Sequence, residues 1–404
     1  MTYDSVINTI ENKRRFGKAS GREVTVEMLQ ALEHPEQGMQ IIHIAGTNGK
    51  GSVAAFVSSI LQAASFASAE HFRVGTFTSP HLIDFTERIM VDGVQIPQEA
   101  AARIGQQLLK LQLSLEPTMF DYCLAMALIY FREQGVRYVV LETGLGGAKD
   151  STSGLSTVPV VSAITSIGLE HTAILGNTLG QIAGEKAGIL KAGTQLVMGQ
   201  LPQEARQVIL QRCQELSVPY YEPQPVEPGV QLGLFGDYQR GNAAVAAQVA
   251  RLLDINISEE AISKGLAQAS WPGRMQVIST EPYILVDGAH NPNGVEALYS
   301  SLRQAFPGEK FTFIMAVMAD KDYVEMASMM KEIISGFYTC SVDYSRALQS
   351  DELAWQLQAV GIPAQAMPSF DAALAEARLH DERIVVFGSL YFIGQVLRDY
   401  RGRL

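Results

Sequence analysis

The stretch HIAGTNGKGS, residues 43–52, sets three glycines, a lysine and two hydroxyls between a short apolar run, MQII, and a helix-like segment, VAAFVSSILQAA. A strand, a glycine-rich turn and a helix start make an anion site, because backbone N–H groups and the positive end of the helix face the ligand. Gly46, Gly49 and Gly51 let the chain turn tightly and let a phosphate approach the backbone. Lys50 supplies charge to the β- and γ-phosphates of a nucleotide, and Ser52 or Thr47 can hold magnesium directly or through water. In the usual nucleotide loop a Ser or Thr directly follows the lysine. Here Gly51 intervenes before Ser52. The bland alternative, an ordinary glycine-rich βα turn, is disfavoured by the lysine and serine together.

Other constellations fall at the ends of strand-like runs, where open α/β sheets bind ligands. FTSPHLIDF puts Ser79 and His81 after one run, with a helix cap at Ser79 as the alternative. YVVLETGLGG ends in Glu142, a carboxylate able to bind magnesium or simply an ion-paired one. ITSIGLEHTAILG offers His171 with Glu170 beside it. AGEKAGIL sets Lys186 among small and apolar residues, where desolvation disfavours the ammonium unless the side chain snorkels to water. Arg274 in WPGRMQ can grip a phosphate, and Asp287 in LVDGAHNP can accept from a ribose. The same two residues suit an interdomain salt bridge. His290 and Asn291 sit in a turn before a helix, and Asn242 can contact a base or cap a helix beginning GNAAV.

These positions need a scaffold of alternating strands and helices. Strand-like runs (IIHIAG, FRVGTFTSP, RYVVLETG, VPVVSAITSIG, TQLVMGQ) alternate with helical patterns near 98–115 and 118–134 and at LGQIAGEKAGIL and QEARQVILQRCQEL. VPYYEPQPVEPGVQ reads as an irregular connection or an edge segment. Pro272 and Gly273 break a helix in SWPGRMQ, and beyond them YILVDG, FTFIMAV, GFYTCSV and RIVVFGS begin a second alternating set. The expected fold is α/β, a mostly parallel P-loop-type sheet domain over 1–269 followed by a smaller Rossmann-like α/β domain over 270–404.

A chain of 404 residues accommodates two such domains. Hydrophobic residues make up 47 % and charged residues 18 %, a globular balance. The net charge of −11 argues against a nucleic-acid partner held by phosphate contacts, though a local basic site remains compatible with it. Cys123, Cys213 and Cys340, odd in number and far apart, suggest a reducing compartment. The polar N-terminus is unlike a secretory signal, and no apolar run reaches the ~20 residues of a membrane span, so a cytoplasmic protein is expected.

Together these motifs resemble the folylpolyglutamate synthases and bifunctional dihydrofolate synthases within the wider Mur ligase family. The resemblance runs from RRFGKASG to VVFGSLYFIGQV and rests on GTNGKGS, TSPHL, GLEHTAILG, EKAGI, PGRMQ and DGAHNP. It implies that Gly46 through Ser52, Asn48 included, bind ATP phosphates. It implies that Ser79, Glu142 and His171 hold magnesium, as two ions, with Lys186 carried as its carbamate. Asn242 would contact the adenine, and Arg274, Asp287 and His290 would close the nucleotide site. Phe120 and Asp121 fall where the family has a Phe-Glu pair beside the pterin-bearing substrate. After GLGG the family has Arg and then Leu-Asp-Ala-Thr-Asn. Here Asp150 and Thr152 match near the substrates, whereas Ala148 replaces the Arg and Ser153 the Asn.

The implied reaction is ATP-dependent ligation of L-glutamate to folate or dihydropteroate through an acyl phosphate, by a monomer with small-molecule substrates, no nucleic acid and no membrane. A P-loop kinase or NTPase explains residues 46–52 but gives Ser79, His171, Lys186 and DGAHNP no role. Another Mur-type amide ligase and a non-catalytic nucleotide-binding regulator complete the alternatives.

Overall fold

The computed structural model describes residues 2–13, 20–344, 346–379 and 383–401. Residues 14–19, the RRFGKA part of the first motif of the resemblance, lie outside the described residues. The chain divides into two compact units, Met1–Gly233 with Arg240–Ser270, and Leu234–Gln239 with Trp271–Leu404. No helix among the described residues is long and apolar enough to cross a membrane.

The first unit is built on eight strands: β1 (Gln40–Ala45), β2 (Arg73–Phe77), β3 (Ile89–Val91), β4 (Val94–Gln95), β5 (Val136–Glu142), β6 (Val161–Ile164), β7 (Leu196–Met198) and β8 (Tyr220–Tyr221). Their order is β4-β3-β2-β5-β1-β6-β7-β8. Pairing is parallel from β2 to β8, and only the β2–β3 and β3–β4 pairs are antiparallel. Central strands of such a sheet are buried on both faces, which is why β1 and β5 read as near-continuous apolar runs. The proline-rich VPYY segment supplies β8, an edge strand.

The register brings the functional ends level. Phe77 pairs with Leu141, Ile44 with Glu142, and Ala45 with Ile164. The carboxyl ends of β2, β5, β1 and β6 therefore stand side by side, the edge at which a parallel sheet presents its loops. The helix Lys50–Ala67 after β1 is buried along most of its length. The helix Glu259–Gln268 covers it so closely that a Cβ on Gly265 would lie 2.4 Å from Ile60 Cα. Ser59 Oγ donates to Gly265 O at 2.7 Å across this contact. The helical segments near 98–115 and 118–134 are shorter than their patterns, Gln98–Leu108 and Met119–Glu133. Thr118 and Asp121 form a reciprocal capping box that starts the second of them.

The second unit carries six strands: β9 (Gln276–Thr280), β10 (Tyr283–Val286), β11 (Phe311–Met315), β12 (Ile334–Thr339), β13 (Ala364–Ala366) and β14 (Arg383–Phe387). Their order is β13-β12-β11-β14-β10-β9, parallel except for the β9–β10 hairpin. Its core stacks Phe311, Phe313, Phe337 and Phe387 edge to face or tilted, geometries that suit the ring quadrupoles. Both sheets are α/β, as the alternation of patterns predicts.

Gly265→Val would push a Cβ bearing two methyls into the Ile60 backbone, and overpacking of this kind costs about 1–3 kcal/mol. Urea unfolding of the variant should show a lower midpoint with an unchanged slope.

Candidate active site

The phosphate loop is shaped by two glycines. Gly46 has φ +154°, and a Cβ there would fall 1.9 Å from Thr165 Oγ1. Gly49 has φ +85° and is the N-cap of the helix Lys50–Ala67, with no side chain closing the first turn of N–H groups. Gly51 has no positive φ and lies inside that first turn, so the turn is made by Gly46 and Gly49 alone. Ser52 is buried in the same turn.

The loop is stitched to the chain leaving β6. Thr47 N donates to Ser166 O at 2.8 Å, and Asn48 N to Ser166 Oγ at 2.9 Å. Thr165 and Ser166 hydroxyls donate to Asn48 O at 2.6 and 3.0 Å. Thr47 Oγ1 accepts from Gly168 N at 3.0 Å and donates to Gly168 O at 3.2 Å. Thr47 is thus a strut of the loop. Thr165 and Ser166 escaped the sequence reading, although ITS at a strand end, level with the glycine loop, is the signal that would have found them.

Two ammonium groups meet on one carbonyl. Lys50 Nζ donates to Gly46 O at 3.0 Å and to Thr47 O at 3.2 Å. Lys186 Nζ donates to the same Gly46 O at 2.8 Å. Lys186 is 4 % exposed, so it does not snorkel to solvent. Burial first, and the Lys50 charge next, push its pKa down to about 7. Thr47, Lys50, Thr143, Gly144, Glu170, His171 and Lys186 line one cavity with Gly46. His171 adopts a left-handed backbone, φ 51°, uncommon for a residue with a side chain, and its Nε2 lies 3.9 Å from Glu170 Oε1.

Glu142, 3 % exposed at the end of β5, accepts from Ser79 N at 3.0 Å. Ser79 caps no helix, because the 3-10 turn that follows it starts at Phe85 and is capped by Asp84. Among the described residues no three His, Cys, Asp or Glu side chains form a ready-made metal cage. A buried carboxylate at a strand end fits magnesium, which keeps waters and completes its shell with substrate phosphates. Asn242 lies inside the helix Tyr238–Arg251, so it does not cap it. Its Oδ1 would be 2.5 Å from a Cβ on Gly49, which sets it against the phosphate loop.

The carried-over substrate residues behave differently from one another. Phe120 lies against Gly144, whose Cβ would meet the ring at 2.7 Å, and so borders the cavity wall. Asp121 is 1 % exposed and its oxygens accept from Thr118 N and Oγ1, each at 2.7 Å, and from Ser151 Oγ at 2.6 Å. Asp150 accepts from Leu145 N at 2.8 Å and from Thr152 Oγ1 at 2.6 Å. Burial raises both carboxyl pKa values against these hydrogen bonds. Both side chains order loops around the cavity. Ala148 donates its N–H to Glu185 O at 2.8 Å, and Ser153 Oγ donates to Gly147 O at 2.6 Å.

In the second unit Asp287 is 3 % exposed and accepts from Met275 N at 2.8 Å, Ala289 N at 2.7 Å and Tyr238 Oη at 3.3 Å. It holds the left-handed Met275, φ 40°, and so the turn that carries Arg274. Burial raises its pKa while the Arg274 charge lowers it. Arg274 and Asp287 belong to one unit, so a bridge between these two lies within it. His290 Nδ1 lies 2.7 Å from Gly288 O, and Asn291 caps the helix Pro292–Ala305.

A glycine-turned phosphate loop with its lysine, on a parallel sheet followed by a second α/β unit, defines an ATP-dependent ligase scaffold, and residues 273–390 match the Mur ligase, glutamate ligase domain family. The dihydrofolate synthase/folylpolyglutamate synthase of Bacillus subtilis is 34% identical over 98% of this chain and 98% of its own. The folylpolyglutamate synthase of Lacticaseibacillus casei is 33% identical over 100% of this chain and 99% of its own. Escherichia coli FolC, solved in complex with DHPP and ADP, superposes with a TM-score of 0.87 at 26% identity, covering 100% of this chain and 98% of that one. The bifunctional enzyme of Yersinia pestis, solved with AMPPNP and a manganese ion, gives 0.87 at 26% identity over 99% and 98%. The chain belongs to the folylpolyglutamate synthase/dihydrofolate synthase family.

Gly46→Ala must displace Thr165 and is strained at φ +154°. It should cut ATP-dependent turnover by about a hundredfold or more while circular dichroism shows the fold retained. Asp287→Ala leaves two buried backbone N–H groups unpaired, at about 1–3 kcal/mol each. Calorimetry should register a lower melting temperature.

Proposed function

We propose that the protein ligates L-glutamate to the carboxylate of dihydropteroate and of reduced folates, at the cost of ATP. What carries this reading is the near-full-length likeness to relatives named for both activities, in a chain whose phosphate loop and Glu142 stand at adjoining strand ends with Lys186 bonded to the loop. A carboxylate is a poor electrophile. The pterin-side carboxylate oxygen attacks the γ-phosphorus, the bond to the ADP oxygen breaks, and an acyl phosphate results. The glutamate amine then attacks the acyl carbon, loses a proton, and phosphate leaves with its electron pair.

Lys50 moves from the Gly46 and Thr47 carbonyls onto the phosphates as ATP enters, so charge is already present where it develops. The first-turn N–H groups after Gly49 face the same anion. Phe120 bounds the wall toward the pterin-bearing substrate. Asn242 serves the adenine, and Arg274 and His290 serve the nucleotide, with Asp287 holding the Arg274 turn. Ser79, Glu142 and His171 would hold magnesium, as two ions, which would supply electrostatic stabilisation of the transferring phosphoryl group. Three buried, unpaired cysteines accord with a reducing cytoplasm, where we place the protein as a monomer.

We place a carbamate on Lys186. The neutral amine, populated above a pKa of about 7, attacks carbon dioxide and loses a proton, so a cation becomes an anion. The repulsion from Lys50 becomes an attraction, and the new oxygens suit magnesium.

The wild-type protein should release ADP over many turnovers only with both glutamate and a pteroyl substrate present, and mass spectrometry should find the pteroyl product heavier by one glutamyl residue. Sustained glutamate-independent ADP release, or phosphorylated substrate as the end product, would indicate a kinase or NTPase instead. Below the Lys186 pKa the ammonium dominates, so activity in carbon-dioxide-free buffer should respond to added bicarbonate more at pH 8 than at pH 6. A response equal at both pH values, or none, removes the carbamate from the mechanism.

A further inference from the structure

Beneath the phosphate loop lies a buried polar chain that the chemistry above does not use. His43, 1 % exposed in β1, stands three residues before Gly46. Its Nε2 is 2.8 Å from Thr152 Oγ1 and 3.1 Å from Thr143 Oγ1. The Thr152 hydroxyl donates to Asp150 Oδ1 at 2.6 Å. Asp150 also accepts from the backbone N–H groups of Thr152 at 3.0 Å, Leu145 at 2.8 Å, and Gly144.

Four donors converge on Asp150, so its carboxylate acts as acceptor throughout. A hydroxyl has one proton to donate, and that of Thr152 points at Asp150. The Thr152 oxygen must then accept from His43, which fixes the imidazole as the tautomer with its proton on Nε2. Thr143 Oγ1 shares the same N–H from the other side. Burial, and then the Lys191 charge, drive the His43 pKa down to about 3, so the ring is neutral whenever the enzyme works.

The chain of bonds ends on the cavity. Thr143 and Gly144 line it. Thr143 is tied to His43 directly, and the Gly144 and Leu145 N–H groups are tied to Asp150, which Thr152 links back to His43. β1 carries both this imidazole and the start of the phosphate loop, so one rigid strand sets two walls of the same cavity.

We propose that His43 is a positioning residue for the ligation: its Nε2–H holds Thr143 and Thr152, and through them keeps the cavity wall at residues 143–145 in register with the phosphate loop. The proposal rests on the ligase reading. Its role is in aligning reacting groups, and misplacement on the ångström scale costs on the order of tenfold to a hundredfold in rate.

The test compares His43→Leu and His43→Gln with wild type. Turnover is expressed per nucleotide-binding site, titrated with ADP, so that partial unfolding lowers the number of sites and leaves the rate per site untouched. His43→Leu should lose about tenfold or more in kcat per site with little change in KM for ATP. The Gln amide places an N–H donor where Nε2 stood, so His43→Gln should recover most of that loss. A ring-nitrogen NMR spectrum of the wild-type protein should show His43 protonated on Nε2 alone, with no titration around the usual histidine pKa of about 6.5. Wild-type kcat per site in His43→Leu, or a His43→Gln as slow as His43→Leu, overturns the proposal. Should His43→Leu fail to fold, the other two readouts decide: a His43→Gln rate per site well below wild type, a proton on Nδ1, or an ordinary titration each overturns it. A wild-type protein without glutamate-dependent ADP release refutes the ligase reading instead.

Discussion

The site depends on the carbonyl of Gly46. Lys50 and Lys186 both donate to it, from the first turn of one helix and the last turn of another, 136 residues on. That carbonyl is exposed to two ammonium groups only because Gly46 adopts φ +154° with Thr165 packed where a side chain would be. Two ammonium groups on one carbonyl repel while both are charged. A nucleotide relieves the repulsion, and so does any modification that turns Lys186 into an anion. The same low-dielectric setting that depresses the lysine pKa magnifies the stabilisation of charge developing on a phosphoryl group.

Within each unit the buried acids act as builders of loops. Asp121 closes a capping box, Asp150 gathers N–H groups from the 144–145 turn, and Asp287 pins the left-handed Met275. A carboxylate accepts several hydrogen bonds at once, which makes it efficient at fixing a strand-end loop that has few backbone partners of its own. Glu142 stands at the end of β5 itself, where it accepts from Ser79 N. Which donors reach an acid, as Ser151 Oγ reaches Asp121 or Met275 N reaches Asp287, is decided by the fold rather than by the neighbouring residues.

That distinction marks where the sequence ceases to be legible. The parallel sheets could be read because central strands are buried on both faces and carry unbroken apolar runs. The loop GTNGKGS and the unusual Lys186 among AGEKAGIL could be read because local residue types dictate their chemistry. The β3–β4 hairpin and β13 are too short for a pattern of alternation, and Leu234–Gln239 joins the second unit through contacts such as Asp237 N to Ser301 Oγ, which no local pattern signals. Asn242 was open to a capping reading because the GNAAV run hides the helix start at Tyr238. Thr165 and Ser166 read as ordinary strand-end residues until the register sets β6 beside β1.

The central claim is that this cavity gathers charge to make an acyl phosphate and then an amide. The most direct measurement uses dihydropteroate labelled with oxygen-18 in its carboxylate, turned over with ATP and L-glutamate. The account predicts one labelled oxygen in the inorganic phosphate released for each amide formed, because the carboxylate oxygen that attacked the γ-phosphorus leaves with it. Product formed with unlabelled phosphate would contradict it.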